Sequence, residues 1–359
     1  MDKNSVRLYI HLPFCRSKCW YCAFNSVVCD DEVVFARYLK ALRRHAMWFK
    51  QRYAIGFVDS IYIGGGTPSF YPVKFLDKVF SEVLAGWRIS ADAEVSIEAN
   101  PADITRDWLA FVRGVGINRI SIGVQSLDDF VLKFLGRAHN SEKARRSVFF
   151  AKDFFPKERV SIDMIYGLPK EPEGELMRRL DRVFTLDVGH ISAYMLSVET
   201  NNPEVGQDAQ AGLYKALSKE LERNGFLFYE LSNYARPGAF CRHNLGYWTG
   251  EEFIGLGAGA WSFMSGCRFA WDRKIERYIS EVEKGPVEFS RPENLYKEIE
   301  LLKLRTYLGA KHSIIADTDE NKSYLDMLVS NGFMRHKDGR YFLTLKGRLL
   351  ADEISGRLL

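Results

Sequence analysis

Short apolar runs alternate with longer amphipathic stretches along most of this chain. The runs are rich in β-branched and aromatic residues, which is typical of buried strands. Seven strands are predicted: RLYIHL (7–12), DSIYIG (59–64), EVSIEA (94–99), RISIGV (119–124), VSIDMI (160–165), HISAYMLSV (190–198) and FLFYEL (226–231). Helical periodicity lies between them, for example at 31–49 and 73–84. This alternation predicts parallel βαβ units.

Six or seven such units, rather than eight, indicate an α/β fold built as an incomplete (β/α)6-type barrel with one open side. A flat, doubly wound sheet is the alternative. After residue 285 the pattern changes to two helices, a hairpin with an Asp338-Gly339 turn, and a helix near 346–354. That order resembles a winged-helix module. We therefore predict a barrel over 1–235, a connecting segment over 236–284 and a winged-helix-like module over 285–359.

Charge and composition exclude several classes of protein. The 359 residues include 50 basic and 46 acidic ones, a net charge of +4 that is too balanced to indicate nucleic acid. No basic segment followed by an apolar core opens the chain, and the longest apolar run (253–264) is too short to span a bilayer. We expect a cytoplasmic protein, in which clustered thiols indicate metal binding or chemistry rather than disulfides.

Three of the six cysteines lie within eight residues. Cys15, Cys19 and Cys22 are spaced C-x3-C-x2-C, and the next position where a cysteine would complete a set of four is Phe24. Soft thiolates select zinc, copper(I) or iron–sulfur clusters. Structural zinc needs four ligands, and no second C-x2-C pair is present, although His11 could supply one. A [4Fe–4S] cube on three cysteines leaves one iron open for an exchangeable ligand.

The other three cysteines, at 29, 241 and 267, are isolated in the sequence. We interpret them as ordinary small core residues.

Polar or glycine-rich steps follow the predicted strands. In a parallel barrel the functional residues come from the carboxyl ends of the strands. Those ends carry the cysteine loop, GGGTPS (64–69), EANP (98–101), GVQS (123–126) and Asp163. The glycines allow close approach of a ligand to the backbone, or simply make a tight turn. Glu98 follows a strand that looks buried, where a lone carboxylate is costly, so we expect it to bind a ligand.

A three-cysteine loop after the first strand resembles the radical S-adenosylmethionine (SAM) enzymes. The resemblance implies a [4Fe–4S] cluster on the three cysteines, with SAM bound to the open iron through its amino and carboxylate groups. It further implies SAM contacts from residues at the strand ends and in two loops, namely Tyr9, Tyr21, Gly65, Gly66, Thr67, Glu98, Gln125, Arg137 and Asp163. The alternatives are a core position for Tyr9 and a solvated helix-end charge for Arg137.

Longer stretches, among them LYIHLPFCRSKCWYCAF and SNYARPGAFCRHNLGYW, resemble the coproporphyrinogen III oxidase-like branch of that superfamily over nearly the whole chain. The oxidase itself carries C-x3-C-x2-C-x-C, whereas this chain has Phe24 at the last position. The oxidase also has an N-terminal extension where this chain has six residues before its first predicted strand. Both departures point to the HemW-type haem chaperones.

In that group the motif HNxxYW is associated with haem binding, and residues 243–248 read HNLGYW. Imidazole is a good axial haem ligand, and the aromatic rings of Tyr247 and Trp248 could pack on a porphyrin. The resemblance thus implies that His243 binds haem, in a predicted loop. The alternative is a hydrogen-bonded His beside two aromatics.

The chain also departs from the family pattern. Trp261 and Trp271 stand where the family usually has His and Asn. The stretch GLGAGA (255–260) fits a G-x-G-x-x-A dinucleotide fingerprint, but no clear strand–helix context supports it.

Three functions follow from these patterns. The first is a haem chaperone on a radical SAM scaffold that passes haem to an acceptor protein, including a membrane-associated one. The second is an enzyme that decarboxylates a porphyrinogen oxidatively: the reduced cluster cleaves SAM, and the adenosyl radical abstracts hydrogen. The third is a structural or RNA-binding iron–sulfur protein, which the near-neutral charge disfavours.

Overall fold

The structure is a computed structural model that describes residues 5–196 and 207–359. The last two residues of the strand predicted at 190–198 lie outside the described part. The chain forms two compact units, Met1–Asp163 with Glu251–Arg291, and Met164–Gly250 with Pro292–Leu359. The division of the chain into three consecutive segments stays a prediction.

The strands are, in chain order, β1 (Ser5–Leu12), β2 (Phe14–Cys15), β3 (Val27–Val28), β4 (Phe57–Gly65), β5 (Ile89–Ala99), β6 (Arg119–Gln125), β7 (Val160–Tyr166), β8 (His190–Met195), β9 (Leu227–Glu230), β10 (Asn233–Ala235), β11 (Phe253–Leu256), β12 (Trp261–Met264), β13 (Cys267–Ala270), β14 (Glu288–Ser290), β15 (Ala310–Lys311), β16 (Met334–Lys337) and β17 (Arg340–Leu343).

The α-helices are, in chain order, α1 (Glu32–Arg52), α2 (Val73–Lys78), α3 (Arg106–Gly114), α4 (Asp129–Phe134), α5 (Ser141–Phe154), α6 (Glu173–Phe184), α7 (Gln207–Arg223), α8 (Arg242–Thr249), α9 (Ile275–Glu281), α10 (Leu295–Lys303), α11 (His312–Ile315), α12 (Asp319–Ser330) and α13 (Ala351–Leu358). Several begin at a side chain that accepts a hydrogen bond from the first turn, as Asp31, Thr105 and Asn140 do.

The sheet of the first unit confirms the α/β fold class. Its strand order is β14-β13-β12-β11-β1-β4-β5-β6-β7. The neighbours β11, β1, β4, β5 and β6 pair in parallel. The middle strands carry continuous apolar runs because both faces of a parallel sheet are covered. The carboxyl ends of β1, β4, β5 and β6 therefore lie at one edge of the sheet.

The segment 236–284, predicted to be a connection, contains part of this sheet. β11 pairs with β1, and β12 and β13 continue outward from it with antiparallel pairing. β14, which lies just beyond this segment, pairs with β13. The sequence pattern missed these strands because each is three or four residues long, too short for an alternation to be counted. The stretch GLGAGA ends β11 and leads into β12, so no helix follows it as a dinucleotide fingerprint requires.

In the second unit β8, β10 and β9 are neighbours in that order with antiparallel pairing, and a separate sheet has the order β15-β17-β16. The hairpin β16–β17 turns at Asp338 and Gly339, both with positive φ (50° and 69°), as a type I′ turn requires. A hydrophobic core joins this hairpin to the helices α10, α12 and α13.

No helix in the described ranges combines the length and the apolar character needed to cross a bilayer.

Candidate functional site: the cysteine loop, the strand ends and the HNLGYW helix

The three clustered cysteines lie in the loop that follows β1. Cys15 closes the two-residue strand β2 and is buried, whereas Cys19 and Cys22 are partly exposed. A turn brings the last two together, since the Cys22 amide donates to the Cys19 carbonyl at 3.1 Å. One short loop therefore presents all three thiols.

Two of these sulfurs accept hydrogen bonds from side chains outside the loop, one that follows β4 and one in the loop between α4 and α5. The Thr67 hydroxyl donates to Cys15 Sγ at 3.4 Å, and Arg137 Nη1 donates to Cys19 Sγ at 3.3 Å. Burial raises the pKa of the Cys15 thiol, and the bond from Thr67 opposes that rise. Donors of this kind stabilise metal-bound thiolates, which a metal deprotonates outright.

The number of thiols in the loop is the number that a [4Fe–4S] cluster with one open iron requires. Among residues 5–196 and 207–359, no three His, Cys, Asp or Glu side chains are arranged so that they could hold one metal ion. Thiolates on a [4Fe–4S] cube each bind a different iron, so their sulfurs need not converge on one point. The assignment of Cys15, Cys19 and Cys22 to the cluster stays a prediction.

His11, the candidate fourth ligand, is engaged at both ring nitrogens. Its Nε2 lies 2.8 Å from the Asn25 carbonyl oxygen, which can only accept, so this nitrogen carries the proton. Its Nδ1 then accepts from the Tyr9 hydroxyl at 3.0 Å. Burial lowers the pKa of His11, which favours this neutral form. The imidazole thus ties the end of the cysteine loop to β1 and has no lone pair for a metal.

Two glycines, Gly65 at the end of β4 and Gly66 directly after it, are required by close packing. A Cβ on Gly65, whose φ is +119°, would lie 2.6 Å from His11 Nδ1. A Cβ on Gly66 would lie 2.7 Å from the carbonyl group of Pro13, in the backbone that enters the cysteine loop. Any side chain here would displace that loop or His11, so both glycines are needed whether or not a ligand also approaches them.

Two carboxylates influence each other in the sheet: Glu98 at the end of β5, and Asp163, which lies in the middle of β7 rather than at the predicted strand end. Glu98 pairs in register with Ser121 of β6, whose hydroxyl donates to Asp163 at 3.1 Å. Burial, and then repulsion from Asp163, raise the pKa of Glu98 to about 7, against hydrogen bonds from the Tyr62 hydroxyl and the Gly65 amide. A bound ligand that donates a hydrogen bond or carries positive charge near Glu98 would counter both causes, in line with the expectation that Glu98 binds a ligand.

Arg137 connects the cysteine loop to the end of β6. Besides Cys19, its guanidinium donates to the Tyr21 hydroxyl at 3.3 Å and to the Gly123 carbonyl at 2.9 Å. It is not the solvated charge considered as an alternative. Gln125, the last residue of β6, has a φ of +63°, a strained conformation for a residue with a side chain and one that clusters at functional sites.

The first unit thus brings together all the predicted cluster and SAM residues. Reasoning from sequence missed three of their neighbours. Tyr62 and Ser121 each donate to one of the two carboxylates, and His139 lies 3.3 Å from the Val124 carbonyl through Nε2. Tyr62 and Ser121 point to this edge because they alternate with apolar residues in their strands, a signal that was available but weak.

His243 lies in the second unit, on helix α8 rather than in the predicted loop. Its side chain is fully buried, and its Nε2 lies 2.7 Å from the hydroxyl of Tyr247, one helical turn later. The two rings meet edge to face with centroids 5.1 Å apart. Residue types suited to haem are present, but in this structure the imidazole and the phenol are bonded to each other.

Comparison with known proteins resolves the family. Residues 9–183 match the model of the Radical SAM superfamily. A protein of Mycobacterium tuberculosis named "Heme chaperone HemW" is 33% identical over 100% of this chain and 96% of its own length. The HemW of Bacillus subtilis is 30% identical over 98% of both chains, and that of Escherichia coli is 37% identical over 71% of this chain and 69% of its own.

The chain belongs to the HemW family.

The family resemblance inferred from the sequence is therefore confirmed. Membership in this radical SAM family implies a [4Fe–4S] cluster and SAM as cofactors. The solved structure of the coproporphyrinogen III oxidase HemN from Escherichia coli, a radical SAM enzyme, matches with a TM-score of 0.82 over 99% of this chain and 90% of that chain. At 21% sequence identity that match shows the shared fold.

Of the two tryptophans that depart from the HemW pattern, one has a structural explanation and the other has none. Trp271 is buried against His45, with ring centroids 3.8 Å apart, and its indole donates to the Val282 carbonyl at 2.9 Å. It is therefore a core residue of the first unit. Trp261 begins β12 and is partly exposed, and nothing in the structure explains why tryptophan stands there.

Of the isolated cysteines, Cys241 is buried as predicted, whereas Cys29 and Cys267 are only partly buried.

Removing the charge of either carboxylate should weaken SAM binding by about tenfold, the effect of losing one hydrogen bond to a charged group. We expect this for Glu98→Gln and for Asp163→Asn, with iron content unchanged because neither residue is a predicted ligand of the cluster. SAM affinity measured by calorimetry on anaerobically reconstituted protein checks it. Asp92→Asn, an exposed carboxylate on the same strand as Glu98, is the matched control. Parent-like affinity in both variants would remove the strand ends from the SAM site.

A rise in pH should strengthen SAM binding but weaken the folding stability of the ligand-free protein. SAM affinity should rise between pH 6 and 8, as Glu98 with a pKa of about 7 becomes ionised, and this rise should be absent in Glu98→Gln. In the ligand-free protein the folded state holds the Glu98 proton more tightly than the unfolded chain, where the pKa is near 4.5. Its contribution to folding stability is therefore lost as the pH rises through 7.

Proposed function

We propose that the chain is a haem chaperone, which holds a [4Fe–4S] cluster and SAM in its first unit, binds haem at the HNLGYW helix of its second unit and passes the haem to an acceptor protein. The observation that carries this proposal is the similarity to HemW proteins along the full chain, together with their haem-associated motif on one ordered helix. His243 and Tyr247 lie on the same face of that helix because they are four residues apart.

The chain's own residues have defined tasks in this proposal. Glu98 and Asp163 bind SAM, and Arg137 holds Cys19 and Tyr21 against the end of β6. His11 fixes the carboxyl end of the cysteine loop through Asn25. The bound cluster would supply one electron at the sulfonium of SAM.

Haem binding requires a rearrangement at His243. Its Nε2 can reach an iron only after the Tyr247 hydroxyl has moved away, since the two atoms are 2.7 Å apart. Both side chains are haem ligands by type, imidazole more commonly and phenolate in fewer proteins. We propose that the hydrogen bond holds the helix in a closed form that haem opens.

The runner-up function is oxidation of a porphyrinogen, and the fold shared with HemN is compatible with it. Phe24 disfavours it. The ring is 61% exposed beside the cysteine loop, where the oxidase pattern has a fourth thiol, and it offers no donor for a metal or a proton.

One experiment separates the two functions. Anaerobically reconstituted protein should bind about one haem per chain in an absorbance titration. With coproporphyrinogen III, SAM and a reductant, it should release no protoporphyrinogen IX in chromatographic analysis. Turnover of the porphyrinogen with consumption of SAM would make the protein an oxidase, and an absent haem band would contradict the chaperone proposal. Phe24→Cys, which restores the thiol, is the control for the contribution of that position to turnover.

A further inference from the structure

Strand β9 ends in a bulge next to the HNLGYW helix. Asn233 of β10 pairs with Glu230, but the next residue of β10, Tyr234, pairs with Phe228. Tyr229 is therefore the extra residue of β9. A β-bulge re-aims side chains that would otherwise point to opposite faces of a sheet, and bulges concentrate beside functional sites.

Both residues of this bulge contact helix α8. The Tyr229 hydroxyl accepts a hydrogen bond from the amide of Cys241, the N-cap residue of the helix, at 3.4 Å. Glu230 Oε2 accepts from the indole nitrogen of Trp248, in the last turn, at 2.9 Å. Eight residues of helix span about 12 Å, so two consecutive residues of one strand hold the helix at its two ends.

The carboxylate of Glu230 is buried and accepts hydrogen bonds from two side chains. Its side chain is almost fully buried, with 3% exposure, and it also accepts from the amide of Asn233. Burial raises the pKa of Glu230 to about 7, against the hydrogen bonds from Asn233 and Trp248. A buried carboxyl costs free energy that an apolar side chain of the same size would not. Its presence is explained by what it orients.

Trp248 also makes a cation–π contact with Arg305. The guanidinium of Arg305 lies over its ring, 5.5 Å from the centroid, and Arg305 also forms an ion pair with Asp352. The indole nitrogen and a ring face are thus both in contact with protein. The orientation of the ring is therefore determined before any ligand arrives, which reduces the entropy lost on binding.

We infer that Glu230, presented by the Tyr229 bulge, is a positioning residue that fixes the orientation of Trp248 and so the last turn of the HNLGYW helix. Its consequence for haem affinity rests on the proposed function, whereas the orientation of Trp248 does not. Glu230 touches no reacting group and acts only through Trp248 and the helix.

The test compares Glu230→Leu with Glu230→Gln. Leucine removes the acceptor and should weaken haem binding about tenfold, since a buried indole N–H is left without a partner. Glutamine keeps an acceptor oxygen for Trp248, and Asn233 can turn its amide to accept from the new N–H, because its Oδ1 is buried without a hydrogen-bond partner in the described structure. Glutamine should therefore restore affinity to within about threefold of the parent.

A second readout does not need haem. The chain has seven tryptophans, so ¹⁵N-tryptophan labelling gives few indole signals, and Trp248→Phe assigns the one of interest. That signal should shift and exchange faster with solvent in Glu230→Leu, and stay near its place in Glu230→Gln. Glu222→Leu, a half-exposed carboxylate that pairs with Arg348 in the same unit, should leave both readouts unchanged.

The outcomes are distinguishable. An unchanged indole signal and haem affinity in Glu230→Leu would overturn the inference. A parent protein that binds no haem would end the proposed function, and the indole signal would still decide the role of Glu230. Should Glu230→Leu not fold, Glu230→Met, which keeps the length of the side chain without a carboxyl oxygen, replaces it in both measurements. A Trp248 indole signal in Glu230→Met like that of the parent would then contradict the inference.

Discussion

Replacing Cys19 with alanine is expected to eliminate the brown chromophore and to reduce the iron content from about four per chain to near zero. The reason is the ligand count. The loop supplies three thiolates for four irons, and Phe24 stands where a fourth could have taken over. The same result is expected for Cys15 and Cys22, measured by iron and sulfide analysis and by absorbance after anaerobic reconstitution.

The three isolated cysteines are the matched controls. Cys29→Ala, Cys241→Ala and Cys267→Ala should keep the chromophore, because these residues lie outside the loop. A second comparison uses Arg137→Gln, which removes the guanidinium that donates to Cys19 but no ligand. It should retain the iron. One equivalent of zinc without iron in the parent protein would contradict the cluster assignment.

Replacing His243 with alanine is expected to abolish most of the haem absorbance band, with iron–sulfur content unchanged. The imidazole is the strongest haem ligand in the motif, and loss of an axial ligand leaves the iron without its protein bond. His336→Ala, which removes an exposed histidine of the C-terminal hairpin, is the control that should bind haem like the parent.

Tyr247→Phe distinguishes the two possible ligands. If Nε2 of His243 binds iron, loss of the hydroxyl frees that nitrogen, and haem should bind at least as tightly as in the parent. If the phenolate is the ligand, the same variant should lose the band. If neither His243→Ala nor Tyr247→Phe changes haem binding, the haem ligand lies elsewhere in the chain.

The longer strands could be predicted from the local sequence pattern, and the short ones could not. The seven predicted strands all appear, with ends within a few residues of the prediction over the described ranges. Apolar β-branched runs define them without help from the rest of the chain. The short strands β11 to β14 have no such signature, and the pairing of β11 with β1 and of β12, β13 and β14 with their neighbours becomes visible only in the folded chain.

Helix α8 shows where local pattern fails. HNLGYW contains Asn, Gly and two aromatics, residues with modest helix propensity, and so favours a loop. The structure makes it a helix, whose ends are held by Tyr229 and Glu230. Tertiary contacts outweighed propensity.

By itself the sequence determined the parallel α/β core, the three-cysteine loop and the family, because apolar periodicity and cysteine spacing are local and survive without a fold. Only the tertiary structure decided that both ring nitrogens of His11 are hydrogen-bonded, that Arg137 donates to Cys19 from 118 residues away, and that Trp248 donates to Glu230. The hydrogen bonds of His11 with Asn25, of Arg137 with Cys19 and of Trp248 with Glu230 join residues 14, 118 and 18 positions apart in the sequence. Their energy depends on distances of about 3 Å that no spacing along the chain encodes.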